Sequence, residues 1–277
     1  MSSVFDMKLQ KQLFHPDMKM SDVLDTNPDI ATVLSRLGIG LGFGEGSVRE
    51  VCRSHGIDAA TFLLICNVYT FAGYRPAAAE LAEGHLLDVV KYLRRSHTYY
   101  NDTALPQLEE SIREVISRCP KRLGFVVSKF FDDYRAELRK HFAFEEEMVF
   151  PYIQKLVLGE SRGTFAIDDF KERHEVADEK LSDLKNLVMK TLPSGSDGQD
   201  CFALLSFLYF LHRDLTSHTR VEDEVMIPMA RYVERPQSIA PAKQLSGSGH
   251  DGLADLISRE TYERQTCGID RFMPKPT

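Results

Sequence analysis

The feature that most constrains this chain is a histidine–glutamate spacing that occurs twice. His141 and Glu145 are four residues apart, and His218 and Glu222 repeat the pair at an offset of 77 residues. Residues at positions i and i+4 lie on the same face of a helix, so each pair presents an imidazole beside a carboxylate. The repeat therefore predicts two helices that carry the same polar pair on equivalent faces.

The same offset relates a third pair of histidines, His97 and His174. Both fall on the apolar stripe of a predicted helix, so we expect them to point inward. The chain then contains two superimposable triads and an internal pseudo-twofold symmetry. The triads are His97, His141 and Glu145, and His174, His218 and Glu222.

Hydrophobic periodicity predicts four long helices in the middle of the chain. Apolar residues recur at i, i+3 and i+4 over residues 80–117, 122–158, 166–190 and about 200–233. Short segments that contain Pro or Gly separate them, and no alternating β-branched segment indicates a sheet. The predicted fold class is all-α, an up-down-up-down four-helix bundle preceded by a small helical domain.

Local composition predicts three regions. Residues 1–78 form a small helical N-terminal domain, in which Ser47 and Asp58 are suited to cap helices. Residues 79–235 form the bundle. Residues 236–277 form a C-terminal tail whose Ser and Gly content is typical of a flexible linker.

Composition excludes several classes of partner. A formal net charge of -7 argues against nucleic acid, which requires clustered Lys and Arg. No apolar run approaches the roughly 20 residues of a membrane helix, and the first residues do not resemble a signal peptide. The 5 cysteines are scattered, which predicts reduced thiols and a cytoplasmic location.

The converging side chains predict a metal centre. Imidazoles and carboxylates without thiolate suit iron, manganese or zinc. Six ligands are too many for one tetrahedral zinc but fit two metals, each with two His and both Glu bridging. A single His on an apolar stripe is more often an ordinary core residue than a metal ligand. Burying all four histidines and both glutamates without a cation, however, would cost roughly several kcal/mol per charged group. A zinc- or manganese-loaded structural bundle stays open as an alternative.

Three further residues are candidates for supporting the ligands. Glu137 and Asp214 each lie one turn before a predicted ligand and obey the same offset. Metal-bound histidine usually donates its other N–H to a carboxylate, so these acids are suited to accept it. Tyr100, one turn after the first histidine, is placed to bring a hydroxyl near an open metal position. The alternatives are polar positions beside the core for the acids and packing for the tyrosine.

Other residues near the triads are predicted to have no metal role. His85 and His212 lack a histidine at the 77-residue offset, so we expect both to be non-ligands. The aromatic and methionine positions beside the repeated pairs are expected to pack in the core; they are Phe142, Phe144, Met148 and Met226.

Over residues 20–235 the chain resembles the hemerythrin-like superfamily, and most closely the repair-of-iron-centres family. The resemblance implies a carboxylate-bridged di-iron centre, two iron ions, and a role in iron–sulfur cluster repair under oxidative or nitrosative stress, by iron delivery or nitric oxide reduction. Oxygen-carrying hemerythrins are similar but have one more His, which disfavours reversible oxygen carriage. The implied ligands are His97, His141, Glu145, His174, His218 and Glu222.

The chain departs from that family in one place. The family's adjacent Cys-Cys pair is missing, and the matching residues 41–44 contain no sulfur. This absence favours an alternative function, a sensing or binding module for oxygen or nitric oxide that signals to a protein partner. A damaged iron–sulfur protein is the expected partner under the repair hypothesis. The sequence leaves enzymatic turnover open, and also the oligomeric state, with a homodimer as one option.

Overall fold

A computed structural model describes residues 13–160, 165–171, 175–191 and 198–234, all within one compact unit. These residues form helices and short connections, with no β-strand among them. The helices are α1 (Met20–Thr26), α2 (Ile30–Leu37), α3 (Val48–Ser54), α4 (Ala59–Thr70), α5 (Ala78–Glu83), α6 (Leu86–Tyr99), α7 (Leu105–Ser117), α8 (Lys121–Phe144), α9 (Phe150–Val157), α10 (Asp168–Lys171), α11 (Glu175–Thr191), α12 (Gln199–Val221) and α13 (Ile227–Glu234).

The predicted four-helix bundle is confirmed. Helix A (residues 86–117), helix B (121–157), helix C (α11) and helix D (199–234) each contact the next along the chain, and helix D also contacts helix A. This closed ring of neighbours is what an up-down-up-down bundle requires. Within the described residues no helix combines the length and apolarity needed to cross a membrane.

Helices A, B and D each contain one π-helical turn that the sequence analysis did not predict. The turns are π1 (Tyr100–Ala104), π2 (Glu145–Val149) and π3 (Glu222–Met226). In each helix a proline follows two residues after the turn ends, at positions 106, 151 and 228. Proline lacks an N–H and its ring clashes with the carbonyl four residues earlier, so a wider turn relieves the conflict.

The turn π2 overturns one packing expectation. Met148, predicted to lie in the core, is 48% exposed, whereas its neighbour Val149 is fully buried. A wider turn brings the residue at i+4 more nearly above residue i and moves the residue at i+3 outward. Phe142 and Met226 are buried as predicted.

The N-terminal helices pack on one end of the bundle. Ser47 caps α3 through a capping box with Glu50, and Asp58 accepts a 2.7 Å hydrogen bond from Thr61 N at the start of α4. Both caps confirm the sequence prediction. Contacts of α2 with α6 and of α4 with α12 join these helices to the bundle in a shared hydrophobic core. The domain division at residue 78 stays a prediction, and the tail 236–277 lies outside the described residues.

Residues 80–83 are the part of the first predicted bundle helix that the structure assigns elsewhere. They belong to α5, which ends at Glu83 and is followed by Gly84, and helix A begins at Leu86. A Cβ at Gly84 would lie 2.8 Å from Leu64 Cδ1 of α4. The close approach explains why glycine interrupts the helical pattern here.

Candidate metal centre

Four of the predicted ligands meet in one buried cluster. A nitrogen or oxygen from each of His97, Glu145, His218 and Glu222 lies within 4.8 Å of one from every other member. All four side chains are buried, and both glutamates are fully inaccessible. Grouping two carboxylates in an apolar interior is costly unless a cation compensates their charge.

The helices place these side chains at one level of the bundle. His97 is near the end of α6, and His218 is near the end of α12. Each glutamate is the first residue of a π turn: Glu145 begins π2 and Glu222 begins π3. The polar cluster lies between two apolar cores, one shared with the N-terminal helices and one filling the opposite half of the bundle.

Aromatic rings form the walls of the cluster. The ring of Phe142 stacks on His97 with centroids 4.2 Å apart, and Phe150 stacks on the same imidazole at 5.5 Å. Tyr100, predicted to supply a hydroxyl near the metal, is fully buried, and its ring meets His218 edge to face at 5.5 Å. Its proposed hydroxyl role stays a prediction.

Glu145 faces two histidines at once. Its Oε2 lies 2.9 Å from His97 Nε2, and its Oε1 lies 3.0 Å from His141 Nε2. His141 is at the edge of the cluster, with 16% of its side chain exposed. The two oxygens of one carboxylate therefore point at different imidazoles, an arrangement suited to bridging two cations.

The surroundings of the His218 imidazole indicate whether these residues fit a metal. Neither of its ring nitrogens has a hydrogen-bond partner within the described part of the chain, although Nε2 lies 3.1 Å from Glu222 Oε1. Buried polar atoms normally have a partner, and a bound cation would give Nε2 one. Burial, and then the charge of His97, hold the pKa of His218 well below its usual value. A neutral imidazole has the free lone pair that a metal ligand needs.

Glu146 contacts a predicted ligand, although the sequence analysis did not single it out. Its Oε1 lies 2.9 Å from His97 Nδ1, and its Oε2 lies 3.2 Å from Arg94 Nε. An ionised carboxylate only accepts hydrogen bonds, so Nδ1 carries a proton and Nε2 faces the cluster. Burial lowers the pKa of His97, but the facing carboxylates of Glu145 and Glu146 outweigh it and raise the pKa to about 9.

The 77-residue offset does not indicate Glu146, because its contact with His97 joins two helices. The acid follows Glu145 directly, and no offset along the chain relates it to His97. The run of three acids, residues 145–147, was the available signal. A ligand histidine requires an acceptor for its second N–H, so each of these acids was a candidate.

The remaining predicted site residues lie apart from the cluster or outside the described part of the chain. His174 lies outside the described residues. Glu137 is about half exposed, with Oε1 3.5 Å from Lys180 Nζ. His85 lies beside Asp88, 3.5 Å from its carboxylate. The supporting role of Glu137 and the non-ligand assignment of His85 stay predictions.

Asp214 is buried, as a supporting role requires, but its carboxylate contacts an arginine from the N-terminal helices. Arg36 Nη1 donates to Oδ1 at 3.1 Å, and Nη2 donates to Oδ2. The hydroxyl of Tyr69 also donates to Oδ1, at 3.3 Å. No offset or motif relates Arg36 to this carboxylate, because the two residues are distant along the chain. Acceptance of the His218 N–H by Asp214 stays a prediction.

The donor set defines the chemistry that the site can support. Two imidazoles and two carboxylates meet in a buried cluster that includes no cysteine of the described residues, and His141 adjoins them. Such a set suits a first-row divalent cation of intermediate hardness. The residues present therefore fit a metal centre.

Comparison with known proteins agrees with this geometry. The family model described as the hemerythrin HHE cation binding domain matches residues 88–230. This range contains the four clustered side chains, His141 and His174. Comparison with curated proteins yields no match. Since the matched region spans more than half of the chain, the protein belongs to the hemerythrin HHE cation-binding domain family.

Proposed function

We propose that this protein is a non-haem di-iron protein of the oxidative or nitrosative stress response, whose centre takes a small diatomic ligand, nitric oxide or oxygen. Two histidine–histidine–glutamate triads would hold two iron ions, and their carboxylates would supply oxygen ligands to the pair. The proposed ligands are His97, His141, Glu145, His174, His218 and Glu222.

The position of Glu145 is the observation that carries this proposal. Its two oxygens lie 2.9 Å from His97 Nε2 and 3.0 Å from His141 Nε2, so one carboxylate joins two imidazoles. Glu222 is its counterpart at the 77-residue offset and lies 3.1 Å from His218 Nε2. A pair of such carboxylates supports two adjacent cations better than one.

Iron–sulfur cluster repair, by iron delivery or nitric oxide reduction, is the role we assign to the centre. The bound iron pair would supply electrons and open coordination positions for a diatomic ligand. The chain's own contribution is a buried site, in which Phe142 and Phe150 flank His97. The cysteines among the described residues are free thiols, which supports a reducing compartment such as the cytoplasm.

Metal analysis tests the centre itself. We expect two irons per chain in protein purified from iron-replete cells, with a near-ultraviolet absorption band of a bridged pair. His97→Ala should lose metal, whereas His85→Ala, which removes a histidine outside the cluster, should retain it. Fewer than one iron per chain in the wild type would contradict the proposal.

Anaerobic addition of nitric oxide to the reduced protein tests the ligand class. We expect a nitrosyl spectrum in the wild type and in His85→Ala, and none in His97→Ala. The wild type and His85→Ala should also repair a nitric oxide-damaged iron–sulfur enzyme, and His97→Ala should not. A wild-type protein that binds two irons but neither binds nitric oxide nor restores the damaged enzyme would rule out the repair role.

A sensing module is the second candidate, favoured by a specific contact. Arg36 of the N-terminal helices pairs with Asp214, one turn before His218 on helix D. This buried pair therefore connects the part of helix D that precedes a proposed ligand to the N-terminal helices. Sensing predicts ligand-dependent binding to a protein partner without turnover, and multiple turnovers of any substrate would count against it.

A further inference from the structure

The buried pair formed by Arg36 and Asp214 connects the N-terminal helices to helix D. The side chains are 3% and 1% exposed, and the two terminal guanidinium nitrogens, Nη1 and Nη2, donate to the carboxylate. A bidentate arginine fixes direction as well as distance. Asp214 lies one turn before His218, so the pair sets the position of helix D beside a proposed ligand.

The same guanidinium also contacts helix A. Arg36 Cζ lies 4.8 Å from the ring centroid of Tyr99 and 5.0 Å from that of Tyr100. These tyrosines follow His97 by two and three residues. Cation–π contacts of this kind are strongest where water is excluded. One side chain therefore touches helices A and D immediately beside a proposed ligand on each.

Further hydrogen bonds hold Arg36 in place. Its Nη1 donates to the Tyr69 hydroxyl at 3.0 Å, and that hydroxyl accepts a 2.7 Å bond from Tyr92. Arg95 Nη1 donates to the backbone carbonyl of Arg36 at 2.9 Å. With both its backbone and its guanidinium bound, Arg36 has little freedom to follow a movement of either bundle helix.

We propose that Arg36 is a positioning residue for the metal centre. It holds helices A and D at the separation that lets His97 and His218 bind in one cluster, so the N-terminal helices complete the centre as well as cover the bundle. This inference rests on the proposed metal-binding function and adds a residue to it.

A neighbouring ion pair offers a matched control. Asp29, the residue before α2, contacts Arg213 of α12, with Nε and Oδ2 3.1 Å apart. This pair joins the same two elements as the Arg36 pair, one residue away on helix D. Its side chains are 31% and 58% exposed, so it faces solvent and touches neither tyrosine ring in the described contacts.

The test compares iron release from the full-length loaded protein. We expect Arg36→Met to lose iron to an excess of chelator at least about 10-fold faster than the wild type, in line with other residues that orient metal ligands. Arg213→Met should release iron at the wild-type rate. Arg36→Lys keeps the charge but loses the bidentate fork, so its rate should fall between the two.

A spectroscopic readout separates positioning from simple docking. We expect Arg36→Met to shift the near-ultraviolet band of the loaded centre and Arg213→Met to leave it unchanged. Wild-type release and spectrum in Arg36→Met would overturn the inference, as would equal acceleration in both variants. A wild-type protein that binds no iron would instead contradict the proposed function.

A double variant decides the matter if Arg36→Met does not fold. Arg36→Met combined with Asp214→Leu removes both buried charges and leaves neither unpaired. We expect this variant to keep its helical circular dichroism and to release iron quickly. A folded double variant with the wild-type release rate would overturn the inference.

Discussion

At the scale of single residues, Glu146 orders the site. It is partly exposed, yet it holds the Nδ1 of buried His97 and contacts Arg94. We expect Glu146→Gln to weaken metal binding by about 10- to 100-fold, because the amide is a poorer acceptor than the carboxylate. Competition with a metallochromic chelator measures the change.

The adjacent acid provides the control for this variant. Glu147 is exposed and belongs to the same π turn, so Glu147→Gln changes the charge of the helix equally. Its metal affinity should match the wild type. Equal weakening in both variants would mean that net charge matters and the contact with His97 does not.

The buried cysteines give a second prediction at this scale. Burial raises the pKa of Cys52 to about 12 and the pKa of Cys66 well above its usual value. Thiolate is the reactive form, so native protein at pH 8 should leave both thiols unlabelled by iodoacetamide while the partly exposed Cys201 reacts. Site-resolved mass spectrometry measures this, and fast labelling of Cys52 would contradict the packing.

At the scale of elements, the π turns shape the ligand set. Turns π2 and π3 begin at Glu145 and Glu222, and Pro151 and Pro228 follow them. We expect Pro228→Ala to favour a regular α-turn, because the restored N–H can bond four residues back. Glu222 would then rotate, and iron per chain should fall.

Pro120 is the matched control for the proline variant. It precedes α8 at the end of helix B away from Glu145, so Pro120→Ala should leave the iron content unchanged. Hydrogen exchange at residues 224–228 should show the new backbone bond in Pro228→Ala. Full iron content together with that new protection would contradict a role for the π turn.

The helices were predictable from sequence, but their irregular turns were not. Apolar periodicity located four bundle helices because burial of one face dominates their stability, and Ser47 and Asp58 marked caps by local chemistry. A π turn contains one more residue than an α-turn. The apolar pattern is interrupted by polar positions, so it does not show where this additional residue lies. For this reason the sequence analysis placed Met148 in the core, whereas the side chain is exposed.

At the scale of the whole molecule, the site was predictable only where the chain repeats itself. The 77-residue offset brought out His97, Glu145, His218 and Glu222 because a symmetric centre requires equivalent ligands. Contacts between distant segments have no such signal. Arg36 reaches helix D from the N-terminal helices, and only tertiary packing determines which of the chain's many arginines does so.

Metal removal is the prediction that belongs to this scale. The polar cluster lies between two apolar cores, and the packing at that level consists of the buried ligands and the rings of Phe142 and Phe150 that stack on His97. With iron at about 100 times its dissociation constant, each iron bound should add about 2.7 kcal/mol to the free energy of unfolding. Calorimetry of iron-free and iron-loaded protein measures this as a rise in the melting temperature, and an unchanged melting temperature would contradict it.

The division of the core also has a consequence for cooperativity. In the loaded protein the cation ties both halves together, so unfolding should follow a single transition. Without it, the junction lacks the bonds to the cation, and we expect each half to open more readily as its own unit of local unfolding. Iron would then determine whether the two halves of the molecule unfold together or separately.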